Sequence, residues 1–249
     1  MTILIVDIET PIYRICVRNE TAMPINGEIK YSTNLPELYR QVNKYIEDLV
    51  TKLKGTEVIC VFGGKNNFRK QVLPEYKANR KAMRKPTGLG QLHKYVKTHY
   101  RCIIHPNMEA DDSAGILATS EDRIIKGDRV VISIDKDMKQ IPSHLYNSDK
   151  DEYSKIPIAA ADYYFYQQIL IGDTTDNYKG CPGIGPLKAN KAITFLGTEK
   201  DNWKSIVKLF NLAGKTEADA LVQARCARLL RASDYDFNNK QVILWTPKK

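Results

Sequence analysis

Ile3-Leu4-Ile5-Val6-Asp7 is a continuous apolar run closed by an acid. It is too short for a stable helix and has no polar face, which is the pattern of a parallel strand buried on both sides that delivers a carboxylate at its C-terminal edge. Further along, Leu38, Val42, Tyr45, Ile46, Leu49 and Leu53 fall on one face of a helix expected over Leu35 to Lys54. Val58-Ile59-Cys60-Val61-Phe62 is a second strand pattern, followed by a Gly63-Gly64 turn. Arg129 to Ile134 is a third, ending in Asp135-Lys136-Asp137. Strand, helix, strand implies an α/β fold with a mostly parallel sheet. Ligands bind such sheets at the C-terminal strand edges, so Asp7 and Asp135 are expected to converge there. On an extended segment Asp135 and Asp137 would point the same way.

The 249 residues suit one large α/β domain or a domain with a smaller appendage. The net charge of +9 is local: Lys65 to Arg101 holds eleven Lys or Arg against the single acid Glu75. A solvated helix face explains a few of these cations, but a polyanionic partner explains the imbalance. Cys16, Cys60, Cys102, Cys181 and Cys226 are scattered, with no metal-ligand spacing, and read as reduced thiols of a cytoplasmic protein. No apolar run is long enough to span a membrane, and no membrane partner is expected.

The acids recur where strands end or loops begin. Glu109, Asp111 and Asp112 crowd the expected start of a helix running through Ala118, after His105-Pro106-Asn107 as stop and cap. Glu109 and Asp112, three apart, would share a helix face. A second helix, Ala159 to Ile171, runs into Gly172-Asp173-Thr174-Thr175-Asp176. Acids in a first turn can simply complement the helix dipole, and an Asp after a strand can simply form a turn. Adjacent carboxylates, however, repel by up to about 4 kcal/mol per pair at about 4 Å and an effective dielectric near 20, so a buried cluster calls for cations. Oxygen-only donors select Mg²⁺ or Mn²⁺, and eight carboxylates (Asp7, Glu109, Asp111, Asp112, Asp135, Asp137, Asp173, Asp176) suit two or more ions. Two such ions fit phosphodiester hydrolysis.

Lys77 and Arg80, three apart on an expected helical turn, are cationic donors for a reacting phosphate. Phe68 and Tyr76 could stack on unpaired bases or belong to the core. In Cys181-Pro182-Gly183-Ile184-Gly185-Pro186-Leu187-Lys188, Gly183 and Gly185 would let backbone N–H groups approach a phosphate before a helix, with Lys188 adding charge.

The ordered set Ile3 to Asp7, Asn67-Phe68-Arg69-Lys70, Leu73 to Lys81, Glu109-Ala110-Asp111-Asp112, Ser133 to Asp137, Gly172-Asp173-x-x-Asp176-Asn177 and Pro182-Gly183-Ile184-Gly185 resembles the 5′-nuclease family, closest to the phage 5′-to-3′ exonucleases. Trp245-Thr246-Pro247 also looks like that branch. The resemblance implies a Rossmann-like nuclease core over 1–170, including a basic helical arch over 65–101, and a helix-hairpin-helix region with the C-terminal tail over 171–249. It implies a 5′-to-3′ exonuclease or 5′-flap endonuclease acting on DNA with a 5′ end, nick or flap, or on an RNA–DNA hybrid, as a monomer in the host cytoplasm. Asp7, Glu109, Asp111 and Asp135 match the inner metal site, and Asp112, Asp137, Asp173 and Asp176 the second. Lys77 and Arg80 match arch residues on the reacting phosphate. Arg69 and Lys81, in the same motifs, join Phe68, Tyr76, Gly183, Gly185 and Lys188 as DNA-binding residues, with K⁺ expected at the hairpin.

Two departures stand out. Many relatives carry an acid in the turn that here reads Gly63-Gly64-Lys65, which implies one ion held more loosely or through water. Relatives also commonly have Gly after the first Asp, whereas this chain reads Asp7-Ile8-Glu9-Thr10. That tetrapeptide opens the unrelated 3′-to-5′ proofreading exonucleases, one rival reading; a non-catalytic module holding branched DNA is another.

Overall fold

The computed structural model describes residues 1–80, 84–122 and 124–248. In chain order its elements are β1 (Thr2–Asp7), α1 (Glu9–Arg18), β2 (Glu20–Ile25), β3 (Glu28–Thr33), α2 (Leu35–Leu53), β4 (Glu57–Phe62), α3 (Arg69–Val72), α4 (Leu89–His99), β5 (Arg101–Ile104), α5 (Ala110–Thr119), β6 (Asp128–Ile132), β7 (His144–Asn147), β8 (Glu152–Lys155), α6 (Ile158–Ile171), α7 (Pro186–Ala192), α8 (Glu199–Leu212), α9 (Glu217–Ala227), β9 (Tyr235–Asp236) and β10 (Gln241–Val242).

Among the described residues the central sheet has six strands in the order β5-β4-β1-β6-β7-β8. All pair in parallel except β8, which runs antiparallel to β7. The chain leaves β1 for β4 and β5 on one side and returns to β6 on the other, so the switch point lies beside β1. The lack of polar residues over Ile3 to Val6 follows from the two buried faces of β1. Leu4 and Val6 meet α1, α2 and α4 through Ile12, Leu38, Val42 and Leu92. Ile3 and Ile5 meet α5 through Ala110, Ala114 and Leu117. No described helix is long and apolar enough to cross a membrane.

A second apolar cluster joins α6 to α7, α8 and α9 through Phe165, Ile169, Trp203, Ile206, Phe210 and Ala224. The expected division after residue 170 therefore falls in the last turn of a helix that packs with the C-terminal elements. Gln241-Val242-Ile243-Leu244-Trp245 has the apolar pattern of a strand, but only Gln241–Val242 pairs, with β9; Trp245 instead packs edge-on against Phe165 and Trp203.

Two further expectations change at the site. Asp135-Lys136-Asp137 is not extended: Asp135 caps a 3₁₀ turn over Lys136–Gln140, accepting from the Asp137 N–H at 2.8 Å. The Lys77 to Arg80 segment is a series of hydrogen-bonded turns, with Lys77 itself at φ 57°, rather than a helix.

Candidate active site

Asp7 ends β1 and Asp135 follows β6, so adjacent parallel strands deliver both to the same edge. Ser133 links them, donating from Oγ to Asp7 at 3.1 Å and accepting from the Asp135 N–H at 3.1 Å. From the other side comes α5. Its cap is Glu109, not Asn107, which sits in a turn at φ 63°. Glu109 thus lies outside the helix, and the expected shared face with Asp112 does not form.

Two adjoining pockets of about 160 and 610 Å³ make one crevice along this edge. Asp111, Glu109, Asp135, Lys77 and Arg80 line both; Asp7 and Glu9 line one end, and Asp137, Asp173 and Asp176 the other. Seven of the eight expected ligand acids share it. Asp112 does not. It is wholly buried behind α5, where both oxygens accept from the Arg69 guanidinium at 2.7 Å, one also from the Leu230 N–H and the other from the Glu109 N–H, each at 3.1 Å. The segment at Leu230 comes this close because α5 carries Gly115, where a Cβ would stand 2.3 Å from the Leu230 carbonyl.

Electrostatics divide the acids. Burial, with Glu9 and Asp135 nearby, raises Asp7 to about 6 despite the Ser133 hydroxyl. Burial raises Asp111 well above its ordinary value, and Asp7, Asp135 and Glu109 push the same way. Asp137 rises to about 6 through burial and Asp135, while Tyr164 donates to it at 3.2 Å. Burial also opposes ionisation of Glu109, but Arg69 and Lys77 outweigh it and hold this group below its ordinary value.

The basic segment docks directly onto the loop after α6. Lys77 pairs with Glu109 and lies 3.4 Å from Asp176, and Arg80 donates to Asp176 at 2.7 Å. The Lys77 N–H reaches the Asp176 carbonyl at 2.8 Å, and the Asn177 amide reaches the Glu75 carbonyl at 2.7 Å. Asp173 turns this loop by accepting from the Thr175 N–H at 2.7 Å, and Lys136 lies 3.5 Å from it. Gly172 and Gly180, both at positive φ, close the loop where a Cβ on either would come within 2.5 Å of the other's backbone N. Among the described residues no three acids meet at one point, although Asp7 and Asp111 lie within hydrogen-bonding reach of each other.

Three expected DNA contacts are inside the protein. Arg69 is 1% exposed, spent on Asp112 and on the carbonyls of Cys226 and Arg228 at 2.9 and 2.5 Å. Phe68 is buried with Met108, Ile116 and Leu230. Tyr76 is buried among the α6–α9 side chains, its hydroxyl 2.9 Å from Glu109 and 2.7 Å from Asp176, with one proton for the two. Gly183, Gly185 and Lys188 are exposed before and within α7, and the Lys188 ammonium donates to the Gly183 carbonyl at 2.9 Å. Lys81 lies outside the described residues. Glu9 and Ser133 are members of the site that the sequence reading passed over; for Glu9 the signal was an acid two residues beyond the strand-ending Asp7.

A family profile described as "5′-3′ exonuclease, N-terminal resolvase-like domain" matches residues 2–161. The exodeoxyribonuclease of Enterobacteria phage T3 is 29% identical over 226 residues, spanning 78% of this chain and 74% of that protein. Flap endonuclease Xni of Shewanella baltica (strain OS195) is 26% identical over 214 residues, 81% of each chain. The solved structure of the T5 D15 protein co-crystallised with metal ions superposes with a TM-score of 0.69 over 92% of this chain and 90% of that one, at 18% identity, and shares its fold.

Proposed function

Because this chain belongs to the 5′-3′ exonuclease family and is a 5′-3′ nuclease, we propose that it hydrolyses DNA from a 5′ end, nick or flap, using two divalent ions held in the acidic crevice. The observation that carries this reading is the charge pattern. Among the described residues Asp7, Glu9, Asp111, Asp135 and Asp137 make no ion pair with a lysine or arginine, although they line one crevice. Unpaired, partly buried carboxylates with no nitrogen or sulfur donor among them fit Mg²⁺ or Mn²⁺. When bound, such ions lower the cost of charge on the attacking and leaving oxygens.

The chain's own groups do the rest. Asp7, Asp111 and Asp135 would hold one ion, with Asp137, Asp173 and Asp176 toward the second. Ser133 fixes the Asp7 carboxylate and the Asp135 backbone together. Lys77 and Arg80, at the rim, exchange Glu109 and Asp176 for the phosphate of the incoming strand, and this transfer frees two carboxylates as it neutralises the substrate. Tyr76 has one proton for two acids, so it donates to Glu109 or to Asp176, whichever the cations leave. Arg69 and Asp112 hold α5 in place from behind. Duplex backbone beyond the site would lie on the Gly183–Lys188 turn, where K⁺ fits the same resemblance.

Asp135→Asn tests this. It should abolish Mg²⁺- or Mn²⁺-dependent cleavage and leave DNA affinity nearly unchanged, because it removes an ion's ligand and no phosphate contact. Wild-type cleavage by that variant would sink the metal assignment. End-labelled duplex sets direction, since early release of a 3′ label would favour the proofreading rival, and a hybrid with a labelled RNA 5′ end reads the RNA preference in the same assay.

A further inference from the structure

Glu9 opens α1 two residues after Asp7 and lines the crevice with Asp7, Glu109, Asp111 and Asp135. Its position answers a deficiency in the turn after β4. A Cβ built on Gly63 would stand 3.4 Å from Glu9 Oε2 and 3.6 Å from the Ala110 N, so the Glu9 carboxylate occupies the space a side chain at 63 would enter. At Gly64 no side chain fits, because its Cβ would fall 2.8 Å from the His105 carbonyl and 3.0 Å from the Asn107 N. Of the two glycines, only Gly63 faces the acids, and what faces it is another carboxylate. Among the described residues no lysine or arginine forms an ion pair with Glu9; burial and Glu109 outweigh the Gly63 N–H and the more distant Lys97, which ease its charge, so it adds charge to a crevice that already holds several acids.

We propose that Glu9 is a ligand of one of the two divalent ions, supplying from α1 the carboxylate that the Gly63-Gly64 turn does not. The proposal rests on the two-ion reading above. It replaces the expectation of a loosely held ion with a relocated donor: the absence of a side chain at 63 and the presence of an acid at 9 are one arrangement. An ion beside Glu9 would also draw Asp7 and Glu109 toward it from β1 and α5, since all three border the same end of the crevice.

Mn²⁺ binding to the full chain, counted by electron paramagnetic resonance and by calorimetry, tests this without reference to cleavage. Wild type should take up two ions. Glu9→Gln and Glu9→Ala should keep one and bind the other more weakly by ~10–100-fold, the range that loss of even an outer partner costs. Adding Gly63→Asp to Glu9→Ala should recover much of that loss, because the aspartate enters the vacated space. Two ions bound by Glu9→Gln as tightly as by wild type would overturn the assignment and leave the two-ion reading standing. A Glu9→Ala/Gly63→Asp protein no tighter than Glu9→Ala would overturn it as well, placing the effect in the fold of α1. Fewer than two ions on wild type would remove the two-ion reading, and this assignment with it.

Discussion

Asp111 and Asp112 are neighbours in sequence with opposite fates. Asp112 faces the core, meets a guanidinium of matching geometry and has both oxygens saturated by N–H donors. Asp111 faces the crevice among Asp7, Asp135 and Glu109, with no cation paired to it among the described residues. The core side of α5 is a finished electrostatic structure and the crevice side an unfinished one. Charge at the back holds the helix in place; charge at the front is left without a paired cation among the described residues. The contrast predicts that the same Asp→Asn change has opposite consequences one residue apart.

The largest effect is expected at the back. Asp112→Asn leaves the buried Arg69 with only Glu109, 3.6 Å away and already paired to Lys77, as a counter-charge and should cost about 3–5 kcal/mol, read from urea denaturation. Asp111→Asn, which relieves repulsion, should leave the metal-free protein as stable as wild type or more so. Equal losses from the two would erase the distinction. Replacing both partners, as Arg69→Met with Asp112→Leu, should recover most of the loss, because an apolar pair leaves no charge unpaired.

A smaller effect comes from protons at the front. Asp7 and Asp137, raised from 3.8 to about 6, hold protons in the folded protein near pH 5 that the unfolded chain has released. Unfolding there releases protons, so stability falls as pH rises from about 4 through about 6, by on the order of 3 kcal/mol for each of the two groups. Glu109, held below its ordinary value, contributes with the opposite sign, and its share is lost only as pH falls through the acid end of that window. Chelator-treated protein should therefore melt at a higher temperature at pH 5 than at pH 7, and Mn²⁺ at pH 7 should close the gap. A flat metal-free profile would mean that the crevice acids are as well solvated as surface ones.

The two sides of α5 were not equally legible in the sequence. The sheet was, because a strand buried on both faces can carry no polar residue, and Ile3 to Val6, Val58 to Phe62 and Val130 to Ile132 carry none. The acids at strand ends were legible for the same reason: the topology has one edge to which it can send them. Which acid turns inward was not. Asp112 differs from Asp111 only by a hundred degrees of helix and by an arginine forty-three residues away, and Arg69 itself read as a DNA contact because a cation in a basic stretch gives no sign of its partner. Phe68 and Tyr76 were misplaced on the same ground. Asn26-Gly27 was a signal overlooked, since two residues at positive φ make the turn that joins β2 to β3. Glu9 was visible as a letter but not as a ligand, because its role depends on the space over Gly63.

The smallest effect carries the contrast away from the crevice to the turn before α7, where a lysine has a partner of a different kind. Lys188 donates to the Gly183 carbonyl at 2.9 Å and is otherwise exposed, so its charge is held in place without being neutralised. That is a finished hydrogen bond and an unfinished ion pair in one side chain, and the two are separable. If the ammonium meets a phosphate, Lys188→Ala and Lys188→Gln should each flatten the dependence of log K on log salt by about one unit, with sequence preference unchanged. Glutamine can still donate to Gly183, so a loss confined to alanine would assign Lys188 to holding the turn, and equal flattening in both would assign it to the charge.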